Sequence, residues 1–180
     1  MPPQVKMILA STATGLIGRS GKLPWQGRLK SDMERFKEIT TGKAVVMGRK
    51  TYYSIPPKSR PLSDRFNIMV SRNLSLIDEG GVWISHDVAS ALKLANEYDK
   101  LFVAGGAEIY NLFLPVVQEI LWTEVEVPDS FLVNVNQDGT YFPIQEILAD
   151  GWTKVDQQIC SANRPGDDFP SIYQIWKRTT

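Results

Sequence analysis

The sequence predicts an α/β fold. It reads as one domain over residues 1–180, with a central, mostly parallel eight-stranded sheet, antiparallel C-terminal strands and four flanking helices. Three observations predict it. Short, nearly unbroken apolar runs such as Val5–Ser11 and Ala44–Gly48 have the pattern of strands buried on both faces, as in parallel sheets. Helical patterns alternate with such runs through the first two thirds of the chain, the order expected of crossover connections. The last two runs, Trp152–Cys160 and Ser171–Arg178, alternate apolar and polar residues as hairpin partners do.

Taken in order, Val5–Ser11 is the first strand. Thr12–Arg28 follows as a loop broken by Gly15, Gly18, Gly21, Pro24 and Gly27. A loop of that length in a compact domain usually has a function. Leu29–Thr40 reads as an amphipathic helix stopped near Gly42. Ala44–Gly48 is the second strand, and a short helical turn over Thr51–Ile55 ends at Pro56 and Pro57. Phe66–Ser71 and Val82–Ser85 are the third and fourth strands. Asp87 is placed to cap a helix over Val88–Tyr98. Lys100–Ala104 is a fifth strand, Ala107–Leu114 a helix ended by Pro115, and Glu119–Val127 a long sixth strand. A loop rich in Asp, Asn and Gly leads to the final pair.

Composition narrows the chemistry. The chain is 43% hydrophobic and 22% charged, ordinary for a globule with a real core. Twenty Lys and Arg balance twenty Asp and Glu, so no net field draws it to nucleic acid or an anionic membrane. The one cysteine, Cys160, cannot form an internal disulfide, which fits a reducing compartment. The N-terminal stretch MPPQVKMILAST lacks a long apolar run, so no signal peptide is expected. No stretch approaches the ~20 apolar residues of a membrane span. With one histidine, His86, and one cysteine, a His/Cys zinc site is excluded and a Ser-His-Asp or Cys-His nucleophile is disfavoured. No metal is expected. Acid–base work falls to carboxylates, lysines, tyrosines or water. His86 itself reads as a surface loop residue.

In an open sheet of this kind, ligands bind at the carboxyl ends of the strands. The loops after Ser11, Met47, Val70 and Ala104 are therefore expected to face one site. Gly48-Arg49-Lys50-Thr51 lies where a buried strand meets a helix start, a place that favours an anion. Ser71-Arg72 follows the next strand, and Arg suits phosphate. Gly105-Gly106 follows another and lets a pyrophosphate approach the backbone closely. Each signal alone is weak. Together they point to a dinucleotide or polyphosphate, without the GxxxxGK[ST] or GxGxxG of the common nucleotide folds.

The acid candidate is Asp32. Phe36 and Ile39 follow it at i+4 and i+7, while Glu34, Arg35, Lys37 and Glu38 occupy the other side. That spacing turns Asp32 toward the core, where burial raises a carboxyl pKa and suits it to proton delivery. Ser31-x-x-Glu34 also fits a capping box, in which Asp32 is only a first-turn acid. Arg65, beside Asp64, is either an exposed loop residue or a guanidinium for a substrate carboxylate. Leu23 and Trp25 read as loop anchors over the core. Thr123 fits a strand, and could also bond a buried carboxylate.

The segments LIG…LPW (Leu16–Trp25), DMERFK (Asp32–Lys37), VVMGRKTYYSI (Val45–Ile55), RPLSDRFNIMVSR (Arg60–Arg72), VAGGAEIYNLFLP (Val103–Pro115), LWTEVEV (Leu121–Val127) and GTYFP (Gly139–Pro143) together resemble the dihydrofolate reductase family. They cover most of the chain in the family's order. The resemblance implies the family's eight-stranded sheet and hydride transfer from NADPH to the pterin of 7,8-dihydrofolate, giving tetrahydrofolate for one-carbon metabolism. Asp32 then matches the acid that binds the pterin edge and promotes protonation of N5. Thr123 matches the threonine supporting it, Trp25 would order water, and Leu23 sits on the loop that closes over nicotinamide. Ile8, Met33, Phe36, Ile55 and Leu62 would line the folate pocket, with Ala104, Tyr110 and Thr123 beside the pterin and Arg65 pairing with the glutamyl α-carboxylate. Ala10, Ile17, Gly18, Lys50, Thr51, Gly105, Gly106, Ala107, Glu108, Ile109 and Tyr110 would contact the cofactor. Arg49, Ser71 and Arg72 would read its 2′-phosphate. The family's peptide between the two glycines is cis. The expected protein is a cytoplasmic monomer and antifolate target, without nucleic-acid or membrane partners.

Departures from the family pattern fall at four places. Gln26–Ser31 is longer than usual between the Trp and the acid, and lacks the family's proline. Ser63-Asp64 replaces Pro-Gly, so Asp64 could compete for Arg65. Ala104 is smaller than the usual Ile or Val, which would widen the pocket beside the pterin and alter antifolate affinity. Glu108 lies near the expected pyrophosphate path, where an acid helps only if it points away. Two rival functions follow: a pterin or pyrimidinone reductase of the same fold, as in the riboflavin pathway, and a non-catalytic nucleotide-binding paralogue.

Overall fold

The computed structural model describes residues 2–72, 80–132 and 138–179. Its main sheet has eight strands: β1 (Gln4–Ser11), β3 (Ala44–Gly48), β4 (Phe66–Val70), β5 (Val82–Ser85), β6 (Lys100–Val103), β7 (Glu119–Val125), β9 (Trp152–Cys160) and β10 (Ser171–Arg178), in the order β5-β4-β3-β6-β1-β7-β10-β9. These are the eight strands the sequence predicts, with β4, β6 and β7 ending one or two residues early. Two further strands, β2 (Leu16–Arg19) and β8 (Gly139–Tyr141), pair with each other. The helices are α1 (Lys30–Thr40), α2 (Arg49–Ser54), α3 (Val88–Leu94), α4 (Ala107–Phe113), α5 (Asp129–Leu132) and α6 (Ile144–Leu148). The chain forms two compact units: Met1–Ile8 with Glu38–Gln118, and Leu9–Lys37 with Glu119–Thr180.

The first unit carries the parallel ladders. β5, β4, β3, β6 and the start of β1 pair in turn, all parallel. Ala44–Gly48 is buried throughout, as its unbroken apolar run requires. Because β3, β4 and β6 run the same way, the turns after Gly48, Val70 and Val103 leave one edge. α2 begins two residues earlier than Thr51, since Gly48 is extended and Arg49 and Lys50 are good helix formers. α3 opens on the expected cap: the Asp87 side chain accepts from Ser90 N, and the Ser90 side chain returns the bond. It stops at Leu94 instead of Tyr98. The chain turns there, and the Tyr98 ring stacks on Phe66 at 5.0 Å between centroids.

The second unit carries the antiparallel part. β10 pairs with β7 on one side and β9 on the other, with an irregularity at Ile175–Trp176. The stretch 12–28 is not a structureless loop, for it contains β2. The predicted loop after Val127 likewise contains α5, β8 and α6 among its described residues. Gly15 makes the β2 turn possible. Its φ is +83°, and a Cβ there would collide with the Phe142 carbonyl oxygen. Trp25, Leu29, Val125 and Phe169 form a buried cluster under this segment, with Ala10, Val127 and Phe131 against it. Trp25 is 2% exposed, so it is a core anchor.

Candidate active site

α1 places the acid. Asp32 sits in its first turn and is half-buried, and Thr123 Oγ1 donates a 2.6 Å hydrogen bond to Asp32 Oδ1. Thr123 lies in the middle of β7, fully buried, and its cross-strand partner on β10 is Tyr173. Burial raises the Asp32 carboxyl pKa above its ordinary value. The Thr123 bond and the Arg35 charge pull it back, and the Asp167 charge pushes it up. Burial also pushes the Tyr173 phenol up to about 12, so it stays neutral at physiological pH.

The helix start differs from the capping-box expectation. Ser31 is inside α1, with Oγ buried and without a hydrogen-bond partner among the described residues. Its backbone N–H is capped from far downstream, by Asp167 Oδ1 at 2.8 Å. Glu34 pairs with Arg164 at 2.5 Å and Lys30 at 3.7 Å. The departure segment Gln26–Ser31 is docked along the same loop. Lys30 N bonds Gly166 O, Asp168 N bonds Arg28 O, and Arg28 Nε reaches Asp168 Oδ2 at 2.6 Å. The Arg28 guanidinium lies 4.7 Å from the Phe169 ring centroid. Thus the unusual segment has its own anchor.

Arg35 is not on a solvated face as its spacing suggested. It is half-buried, 4.4 Å over the Tyr173 ring, and its Nη2 donates to Cys160 Sγ at 3.2 Å. A planar guanidinium over an aromatic face explains the difference, since it can leave bulk water without losing all partners. Trp25 Nε1 is buried and has no hydrogen-bond partner among the described residues. Of the other residues expected here, Phe36 and Ala10 are half-buried. Ile17 and Gly18 lie on β2, and Leu23 is exposed. Met33 is 51% exposed.

The first unit holds the other expected groups. Gly105–Gly106 is a cis peptide, as the resemblance implies. Gly105 O accepts from Gly48 N at 2.8 Å, which ties the ends of β6 and β3 together. Gly106 N-caps α4 without a side-chain cap, and its carbonyl accepts from Ile109 N and Tyr110 N. A Cβ at Gly106 would meet only Thr51 Oγ1, at 3.4 Å. Glu108 is exposed, Ala104 and Ala107 are half-buried, and the Tyr110 hydroxyl donates to Ile8 O at 2.9 Å. Arg49, Lys50 and Arg72 are exposed and Ser71 is buried. His86 is exposed yet engaged, its Nδ1 lying 3.0 Å from Ser71 O.

Arg65 donates to Ser63 O at 2.8 Å and to Thr40 Oγ1 at 3.3 Å. Burial lowers its pKa and the Asp64 charge raises it. Asp64 is thus an electrostatic neighbour, seated in a left-handed turn at φ +58°. Leu62 and Ile55 are half-buried. Asn67 organises this loop and escaped sequence reasoning. It is 2% exposed, accepts from Leu62 N, and donates to Leu62 O and Arg65 O. The signal was present: a polar residue interrupts the buried strand FNIMV. Asn67→Leu will strand three backbone groups and destabilise the protein by ~2–4 kcal/mol, read from its urea midpoint. Asp167 and Arg35 were missed too. Their partners lie more than 120 residues away in sequence, and no local pattern marks them.

The dihydrofolate reductase family model matches residues 4–178. Dihydrofolate reductase of Candida albicans is 35% identical over 98% of this chain and 98% of its own. That of Mycobacterium leprae is 37% identical over 84% of this chain and 86% of its own. A solved dihydrofolate reductase from Enterococcus faecalis, complexed with NADP(H) and RAB-propyl, superposes with a TM-score of 0.82 at 25% identity. It covers 98% of this chain and 97% of that one.

Proposed function

Because this chain belongs to the dihydrofolate reductase family, we propose that it reduces 7,8-dihydrofolate to 5,6,7,8-tetrahydrofolate with NADPH, Asp32 assisting protonation of N5. The observation that carries the reading is the buried Thr123 hydroxyl fixed on a carboxylate whose pKa burial raises. A carboxyl of that kind binds the polar edge of a pterin and still supplies a proton near neutral pH. NADPH, when bound, supplies the hydride. The residues fit such a cofactor: the backbone at Gly106 is unobstructed, and Arg49 and Arg72 offer exposed guanidinium groups for a 2′-phosphate. Thr51, Ser71 and the start of α4 complete that set.

Thr123 holds Asp32 in one orientation. To the buried Trp25 Nε1–H, which has no hydrogen-bond partner among the described residues, the reading assigns the ordering of the water through which the proton passes. Met33 and Phe36 offer apolar surface on α1, and Arg65 offers a guanidinium for the glutamyl carboxylate. Loss of NADPH absorbance on adding dihydrofolate tests the reading. Absence of turnover in the wild type would return the chain to a nucleotide-binding paralogue. Thr123→Val will lower kcat/KM ~10-fold, because one charge-assisted hydrogen bond disappears. Its rate–pH profile will move to higher pH, since the lost bond lowers the Asp32 pKa. The reading extends to one functional module over residues 1–180, acting as a cytoplasmic monomer on a small molecule. Zero net charge supports the absence of a nucleic-acid partner, and no helix among the described residues is long and apolar enough to cross a membrane. Gel filtration tests the monomer.

A further inference from the structure

We propose that Asp167 is a positioning residue for the catalytic acid: its buried carboxylate closes the first turn of α1 and holds a second negative charge beside Asp32. The geometry comes first. Asp167 is 5% exposed, and its Oδ1 accepts from the backbone N–H of Ser31, the residue immediately before the acid. The adjoining backbone is fixed to the same helix start, by the Leu29–Asp167 bridge and by the Lys30 N to Gly166 O bond. A carboxylate at a helix N-terminus satisfies a free N–H and opposes the positive end of the dipole.

A serine already stands at position 31 and an acid at 34, so a local capping box was available to this sequence. The chain uses a remote Asp instead. The difference matters for chemistry, because a Ser cap is neutral and an Asp cap is charged. Within this unit, the groups facing Asp32 are Thr123 on β7, Arg35 on α1, Tyr173 on β10 and Asp167 ahead of β10. Arg35 favours the ionised acid. Asp167 favours the protonated one, which is the form that gives up a proton. The Asp167 carboxylate accepts from the helix N–H of Ser31, so its charge is held at the N-terminal end of the helix that carries Asp32.

The inference rests on the reductase reading for its consequence, but its first test does not. Asp167→Asn keeps the Oδ1 acceptor for Ser31 N and removes the charge. In the ligand-free protein, the Asp32 carboxyl 13C resonance will titrate at lower pH in Asp167→Asn than in the wild type. In turnover, the fall of kcat with rising pH will begin at lower pH, so kcat at mildly alkaline pH drops several-fold while the KM for dihydrofolate changes little. Asp167→Ser, a neutral residue that also caps helices, must show the same two shifts and serves if the Asn variant folds poorly. A purely structural Asp167 would lower the unfolding midpoint and leave both titrations where they are, and that result overturns the proposal. An inactive wild type with a shifted Asp32 titration would instead overturn the reductase reading alone.

Discussion

Asp32→Asn will reduce turnover of dihydrofolate by ~100-fold or more, the usual contribution of a positioned general acid. The amide can still accept from Thr123, so the helix and the Thr123 contact survive and the loss is chemical. The rate of the variant will also lose its fall with rising pH, because the group whose deprotonation causes that fall is gone. Steady-state kinetics across pH, with both substrates saturating, reads both effects. Unchanged turnover would remove Asp32 from the proton path.

The same variant will be more stable than the wild type at neutral pH. Folded Asp32 holds its proton to higher pH than the unfolded chain does, where the value is near 3.8. Between those two values the folded state binds the extra proton, so this group's contribution to stability declines as pH rises. Above both values the cost of burying the charge is fully present; below both it is absent. The stability advantage of Asp32→Asn is therefore greatest above the folded Asp32 value, shrinks as pH falls from there toward 3.8, and is gone below 3.8. Urea unfolding at a series of pH values checks the direction.

Gly105→Ala carries the second large effect. Gly105 has φ +96°, a conformation an L side chain adopts only under strain. The added Cβ would lie 2.8 Å from the Tyr110 ring and hydroxyl. That ring cannot swing aside freely, because its hydroxyl is bonded to Ile8 O and its residue is buried in α4. Displacing it breaks that bond and disturbs the link from Gly105 O to Gly48 N. Strain plus one lost buried hydrogen bond amounts to ~2–4 kcal/mol, and NADPH affinity falls with it. Thermal unfolding with and without NADPH measures the two losses separately. Gly106→Ala, whose Cβ meets only Thr51 Oγ1 at 3.4 Å, will leave the fold intact and weaken NADPH binding.

The parallel strands were legible because burial on both faces leaves an unbroken apolar run, as in Ala44–Gly48. The C-terminal pair was legible to the residue, its observed bounds Trp152–Cys160 and Ser171–Arg178 being those the sequence predicts. β2 and β8 were not, for strands of four and three residues hold too few positions to display a period. Their pairing is decided by the tertiary register, Leu16 opposite Tyr141. In the candidate site, the residue types suited to the proposed chemistry stood out in the sequence: a lone acid before an aromatic, paired glycines, an Arg after a strand. The residues that aim them did not. Asn67 holds the Arg65 loop, and Asp167 holds the start of the acid's helix. Ser31 was misleading, since the pattern for a local cap is complete although another residue does the capping.

That remote closure of α1 also bears on synthesis at the ribosome. The helix that carries the acid emerges early, but the carboxylate that completes its first turn is made 136 residues after Ser31. Tyr173, the seat of Arg35, comes later still. Until residues 164–173 have left the exit tunnel, a nascent chain holds Asp32 on a helix with an open end and no floor beneath Arg35. Contacts of such sequence separation are slow to form. The parallel strands of the first unit can therefore pair while the surroundings of Asp32, and the antiparallel strands beside them, are still incomplete.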